Sequence, residues 1–161
     1  MGNTEPSSEV ELDRIDRAIL RLLAAEGRIS TTDLAARVGL SKTPVAARMR
    51  RLEAEGVILG YAAQLSARRL GLDHVAFVEV RLSDTREAAL TAFNLAVRRV
   101  PEIEECHMIA GGFDYLMKVR THDIGEYRRV LGETISVLPH VASTSTYVSM
   151  ESVKERGIER L

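Results

Sequence analysis

The sequence predicts an α+β chain, with an N-terminal winged helix-turn-helix domain and a C-terminal ferredoxin-like βαββαβ domain. Three observations predict it. Between Leu12 and Leu52, apolar residues recur at helical spacing in three short runs broken by Gly27 and Gly39. From Val75 onward, β-branched stretches alternate with two helical runs. Between the two patterns, residues 66–73 (SARRLGLD) follow neither and read as a linker. The expected layout is a disordered tail over 1–11, a helix-turn-helix domain over 12–65, the linker, and a second domain over 74–161.

In the first domain, Leu12 or Asp13 opens a helix whose Ile15, Ile19, Leu22 and Leu23 form one apolar stripe, with Gly27 as its C-terminal stop. Ser30 or Thr31 caps a second helix that turns Leu34, Ala35 and Val38 inward. Gly39 supplies the turn. Ser41 is positioned to cap a third helix with Pro44 in its first turn, where a missing N–H costs nothing. Advancing about 100° per residue, Val45, Met49 and Leu52 share one face of this helix. Thr43, Ala47, Arg50, Arg51 and Ala54 fall on the opposite face, and Arg48 sits at the boundary. Small residues at 43 and 47 permit close approach to base edges. Arg50 and Arg51 suit guanine edges or phosphates, Arg48 suits a phosphate contact or stacking along the groove wall, and the free N–H groups near Ser41 and Lys42 suit a phosphate at the helix N-terminus. A helix-turn-helix DNA reader is laid out this way. The competing reading is an amphipathic surface helix with solvated arginines. Gly56 closes the helix, and Val57–Leu65 reads as a short strand or hairpin in the position of a wing.

In the second domain, Val75–Leu82 is a strand with Ala76, Val78, Val80 and Leu82 on one face. Its other face carries Val75 and Phe77 before turning polar at Glu79 and Arg81, so that face is expected to meet a second subunit. Arg86–Val100 is helical and stopped by Pro101. Ile103–Ala110 and Asp114–Arg120 are strands around Gly111-Gly112, a hairpin turn. Ile124–Leu138 is a helix ended by Pro139, Val141–Met150 is strand-like, and Glu151–Leu161 is a charged tail that forms a short helix or an added strand. This order predicts an antiparallel sheet with both helices on one face.

The net charge is −1, yet Arg28–Leu52 carries six cations against Asp33 alone. A local basic patch on a near-neutral chain suits a tunable DNA contact better than indiscriminate polyanion binding. No run approaches the roughly 18 apolar residues of a membrane span, and residues 1–11 lack the order of a secretory signal. One cysteine, Cys106, makes no internal disulfide and fits a reducing cytoplasm. Cys106 and His107 point to opposite faces of a strand and cannot easily share a metal, and Glu104-Glu105 is expected to split in the same way. His74, His122 and His140 lack ligand spacing. No catalytic constellation, metal site or cofactor motif emerges.

The segment LDRIDRAILRLLAAEGRISTTDLAARVGLSKTPVAARMRRLEAEGVILGY resembles the DNA-binding half of the Lrp/AsnC (leucine-responsive, feast-famine) regulators. The stretches EECHMIAGGFDYLMKVR, YRRVLGETISVLP and TYVSMESVK resemble that family's effector domain. The resemblance runs from Leu12 to Lys154. It implies a cytoplasmic, nucleoid-associated regulator of amino-acid metabolism genes that binds double-stranded DNA. It also implies a homodimer, often assembled into octamers, with a free amino acid (leucine, proline or another) held in clefts between subunits. Carried onto this chain, the effector site draws on Met108, Gly111, Gly112, Asp114, Ile124, Tyr147 and Val148. Paired glycines admit charged ligand groups to backbone N–H groups. Asp114 suits an α-ammonium, and Met108 and Ile124 offer an adaptable apolar wall. Read without the resemblance, Gly111-Gly112 is a hairpin turn and Asp114 a turn residue. Two other functions compete: an architectural protein wrapping DNA with weak sequence preference, and an enzyme using the same sheet cleft.

Overall fold

The computed structural model describes residues 9–155, so the expected tail over residues 1–8 and the last residues, 156–161, lie outside it. Residues 9–11 and 151–155 carry no helix or strand. The chain divides into two compact units at Ala63/Gln64.

In the first unit, α1 spans Arg14–Ala25, α2 Thr31–Val38 and α3 Lys42–Ala54. Asp13 caps α1 reciprocally with Asp16: each carboxylate accepts from the other's backbone N–H, at 2.8 and 3.2 Å. Ser30 caps α2 by accepting from the Asp33 N–H at 3.1 Å. Gly39 takes φ 73°, which leads the chain into α3, and Gly56 takes φ 70° where α3 ends. The N–H groups of Val57 and Ile58 then donate to Leu52 O, tying off the helix. Ile19, Leu34, Ala35, Val45 and Leu52 form the core that holds the three helices together.

Two expectations need correction here. Gly27 does not stop α1 by a left-handed turn; the cap is Glu26, whose N–H donates to Leu22 O at 2.8 Å. Residues 57–64 form no strand or hairpin, and Leu65 alone makes an isolated bridge. A ladder needs a second strand, and the short stretch between Gly56 and the 3₁₀ turn at Arg68–Leu70 supplies only one. Leu59 and Tyr61 consequently remain exposed.

In the second unit, β1 (His74–Leu82), α4 (Glu87–Val97), β2 (Ile103–Met108), β3 (Tyr115–Thr121), α5 (Ile124–Glu133) and β4 (Val141–Val148) follow in order. The strands pair antiparallel as β2-β3-β1-β4, the ferredoxin-like order. Ala76, Val78 and Val80 of β1 and Tyr115, Met117 and Val119 of β3 face the helices. They pack there with Phe93 and Val97 of α4 and with Tyr127 and Val130 of α5. Residues 66–73, expected as a free linker, belong to this unit: Arg120 donates to Leu72 O at 2.8 Å. α5 stops five residues short of its expected end. Ile135–Val137, with two β-branched residues, tightens into a 3₁₀ turn, and Leu138 is extended, as Pro139 after it favours. β2 is bulged: Ile103 pairs with Val119 but Glu105 with Lys118, so Glu104 is extra. Glu104 and Glu105 therefore do not split across the strand as expected. Both approach the Lys118 ammonium, at 3.1 and 4.0 Å.

Candidate functional site: a nucleic-acid interface and two sheet corners

The residues expected to read DNA share one helix but not one role. Ser41, Lys42, Thr43, Pro44, Ala47 and Arg50 are all exposed. Thr43, Ala47, Arg50 and Ala54 align along one side of α3, opposite buried Val45 and Leu52. Ser41 stands at the N-cap position with its side chain making no cap bond, so the first N–H groups of α3 stay available. Arg50 makes no ion pair among the described residues.

Arg48 and Arg51 are placed otherwise: both are drawn into ion pairs with the start of α1, although the Arg51 side chain stays 41% exposed. Asp16, 1% exposed, accepts from Arg48 Nη1 at 2.7 Å and from Arg51 Nη2 at 2.5 Å. Asp13 accepts from the same Arg48 nitrogen at 2.6 Å. Residues 48 and 51 lie one helical turn apart on the flank of α3 that meets α1, and the buried carboxylate draws both guanidinium groups toward itself. Burial pushes the Asp16 carboxyl up, but the hydrogen bonds from Arg48 and Arg51 outweigh it and hold it below the ordinary aspartate value. Asp13 is also lowered, first by the Asp16 N–H and then by Arg48. Arg37 pairs with Glu26. Of the six cations between Arg28 and Leu52, three are thus in ion pairs. Asp13 and Asp16 could be read from sequence as a capping box, but nothing local signalled partners more than thirty residues away.

The expected effector residues fall at two places in the second unit. Met108 ends β2 beside Tyr115, which pairs with Val80, which pairs with Thr144. Gly111, Gly112 and Asp114 lie in the following loop, at the same end of the sheet. Neither glycine has a positive φ, and the connection from Ile109 to Asp114 is a wide bend rather than a tight hairpin turn. Asp114 acts first as a strap: its Oδ2 accepts from the Leu82 N–H at 2.7 Å, where the β1–β4 register shifts. Its backbone N–H donates to Val80 O and its carbonyl accepts from Ile109 N–H. Ile124, Tyr147 and Val148 sit at the other end of the sheet, where Val148 pairs with Ala76 on the opposite edge. Ile124 opens α5 one turn ahead of Tyr127, whose hydroxyl bonds Thr146 at 2.5 Å.

Four residues along the strands and three strand spacings separate Met108 from Val148, a diagonal on the order of 20 Å. One chain therefore does not bring the two groups around one small molecule. Met108, Ile124, Tyr147 and Val148 are each about half exposed, as residues awaiting a cover would be. Cys106 turns toward the core, where burial raises its thiol to about 11, while His107 is exposed on the other face beside Glu105. Among the described residues, no three metal-ligating side chains cluster, and no helix is long and apolar enough to cross a membrane.

Two family models match this architecture: winged helix-turn-helix DNA-binding over residues 12–58, and the Lrp/AsnC ligand binding domain over residues 75–158. The chain belongs to the Lrp/AsnC family of transcriptional regulators. It is 63% identical to a proline dehydrogenase transcriptional activator of Rhodobacter capsulatus over 91% of this chain and 95% of that one. A relative of the same description from Rhizobium radiobacter is 62% identical over 98% of this chain and 100% of its own. The leucine-responsive regulatory protein of Escherichia coli is 49% identical over 90% and 88%. Among solved structures, a Neisseria meningitidis transcriptional regulator in complex with L-methionine superposes with TM-score 0.82 at 29% identity, covering 91% of this chain and 94% of that one. These relatives are regulators, so this Lrp/AsnC chain is a DNA-binding regulator and not an enzyme. They lend no support to a purely architectural role.

Proposed function

We propose that this regulator activates a proline dehydrogenase gene and that proline is its effector. The observation carrying this reading is the identity of 62–63%, over nearly the whole chain, to two activators of that description. An enzyme that degrades an amino acid is usefully switched by that amino acid, and the second unit matches a ligand-binding domain. In this reading Thr43, Ala47 and Arg50 approach base edges, while Lys42 and the N-terminal N–H groups of α3 bind phosphate. The protein works in the cytoplasm as a dimer or a larger assembly such as an octamer. Two copies set two α3 helices about 34 Å apart. Proline binds where Met108, Gly111, Gly112 and Asp114 of one copy meet Ile124, Tyr147 and Val148 of another. The free Asp114 oxygen takes the ammonium.

Thermal-shift titration with proline, leucine and methionine tests the effector. A ligand at 100 times its Kd adds about 2.7 kcal/mol to the folded state, so proline should raise Tm well beyond the other two. A shift with leucine or methionine and none with proline would overturn the assignment. Binding to DNA upstream of a proline dehydrogenase gene, with and without proline, tests the target.

A further inference from the structure

We infer that Asp16, with Asp13 and Glu11, forms an acidic flank beside α3 that keeps Arg48 and Arg51 away from the DNA backbone and so determines sequence discrimination. The inference rests on α3 being the DNA-reading helix. An open cleft of about 580 Å³ lies along that helix, lined by Glu11, Leu12, Asp13, Asp16, Ala47, Arg48 and Arg51. Three carboxylates and two guanidinium groups line it, so a phosphate entering the cleft meets a net negative wall. Both Asp16 oxygens are engaged by arginines, at 2.7 and 2.5 Å, and the group is 1% exposed. An arginine that turned wholly to a phosphate would leave one oxygen of a buried carboxylate without its charged partner, which is costly. An ion pair with one partner buried is a poor device for stability, since desolvating the carboxylate offsets the attraction of two part-exposed arginines. Its presence beside the reading helix is better matched to controlling charge. Backbone attraction is independent of sequence, so two more phosphate contacts would raise binding to every DNA alike. With Arg48 and Arg51 withheld, the attraction left to α3 comes from Lys42, Arg50 and the helix N-terminus, on the side that also meets the bases.

The test is binding of the full-length protein to operator DNA and to a scrambled duplex of equal length, across a salt series. Asp16→Asn keeps an acceptor for the Asp13 N–H but removes the charge that holds the arginines. Each phosphate newly neutralised should steepen log K against log salt by about 0.9, which is roughly tenfold at 0.1 M salt. Scrambled DNA should therefore bind roughly tenfold or more tightly, and the operator-to-scrambled ratio should fall. Asp13→Asn with Glu11→Gln is the variant safe for folding, because Asn caps a helix as well as Asp, and it should move both readouts the same way by less. Unchanged or weaker binding to scrambled DNA, with an unchanged slope, in the folded variants would overturn the inference. That result would leave the reading role of α3 standing, since Arg50 tests it separately.

Discussion

Arg50→Ala isolates the reading face of α3 from everything that holds the helix in place. Arg50 is exposed and makes no ion pair among the described residues, so its removal should change folding stability by no more than about 0.5 kcal/mol. It stands between Ala47 and Ala54 on the exposed side of α3, opposite buried Val45 and Leu52. A bidentate contact to guanine is worth about 1–3 kcal/mol. At 1.4 kcal/mol per tenfold, that is about 5- to 150-fold in affinity for each helix engaged. Fluorescence anisotropy with operator and scrambled duplexes at one salt concentration separates the possible contacts. Loss on the operator alone marks a base contact. Equal loss on both, with a salt slope shallower by about 0.9 per copy, marks a phosphate contact. Unaltered affinity for both duplexes would refute the assignment of this face to DNA.

Other perturbations test the second unit and the charge cluster. Asp114→Ala orphans the Leu82 N–H and should cost about 1–3 kcal/mol by chemical denaturation, whereas Asp114→Asn keeps an acceptor and should cost much less. If Asp114 also pairs with an ammonium, Asp114→Asn should weaken the effector's Tm shift while sparing operator affinity without effector. Phe93→Ala should cost about 3–5 kcal/mol, because the ring is fully buried and lies 4.5 Å from the Tyr115 ring. Asp13 and Asp16 are both lowered in the fold, so they stabilise it above the ordinary aspartate value of about 3.9 and lose that contribution as pH falls through their folded values. Melting followed between pH 5 and 2 should show a steeper decline for the native chain than for Asp16→Asn.

Much of what could be read locally in the sequence is found where it was expected, though Gly27, the Ser41 cap and the stretch after Gly56 are not. Asp13, one of two candidates with Leu12, opens the first helix, and Ser30, one of two with Thr31, caps the second. These, the turn at Gly39 and the apolar face Val45–Leu52 depend on residues within a turn or two. The four strands and their order followed from alternation and from the rule that helices cover one face. The misreadings of the charge cluster and of β2 share a cause, which is contact at a distance. Arg51 sat on the polar side of a helical wheel, but a wheel does not show that α1 lays a buried carboxylate beside it. The Glu104 bulge depends on register against β3, which alternation along β2 alone does not fix. The residues assigned to the effector came from resemblance. The fold then separated them into two corners that neither spacing nor composition distinguishes.

That separation constrains how an amino acid can act. A ligand held by one corner alone would bind a single chain equally well in every assembly and would shift no equilibrium. A ligand that needs Met108 and Asp114 from one copy and Tyr147 and Val148 from another binds only where two such corners face each other. Its binding free energy is then added to that interface and to no other state. Effector affinity must accordingly rise with protein concentration until the interface is saturated, and the effector must tighten the assembly by the same factor. In the proposed reading, the assembly that the amino acid stabilises would set the spacing of paired α3 helices, which operator binding with and without proline would report.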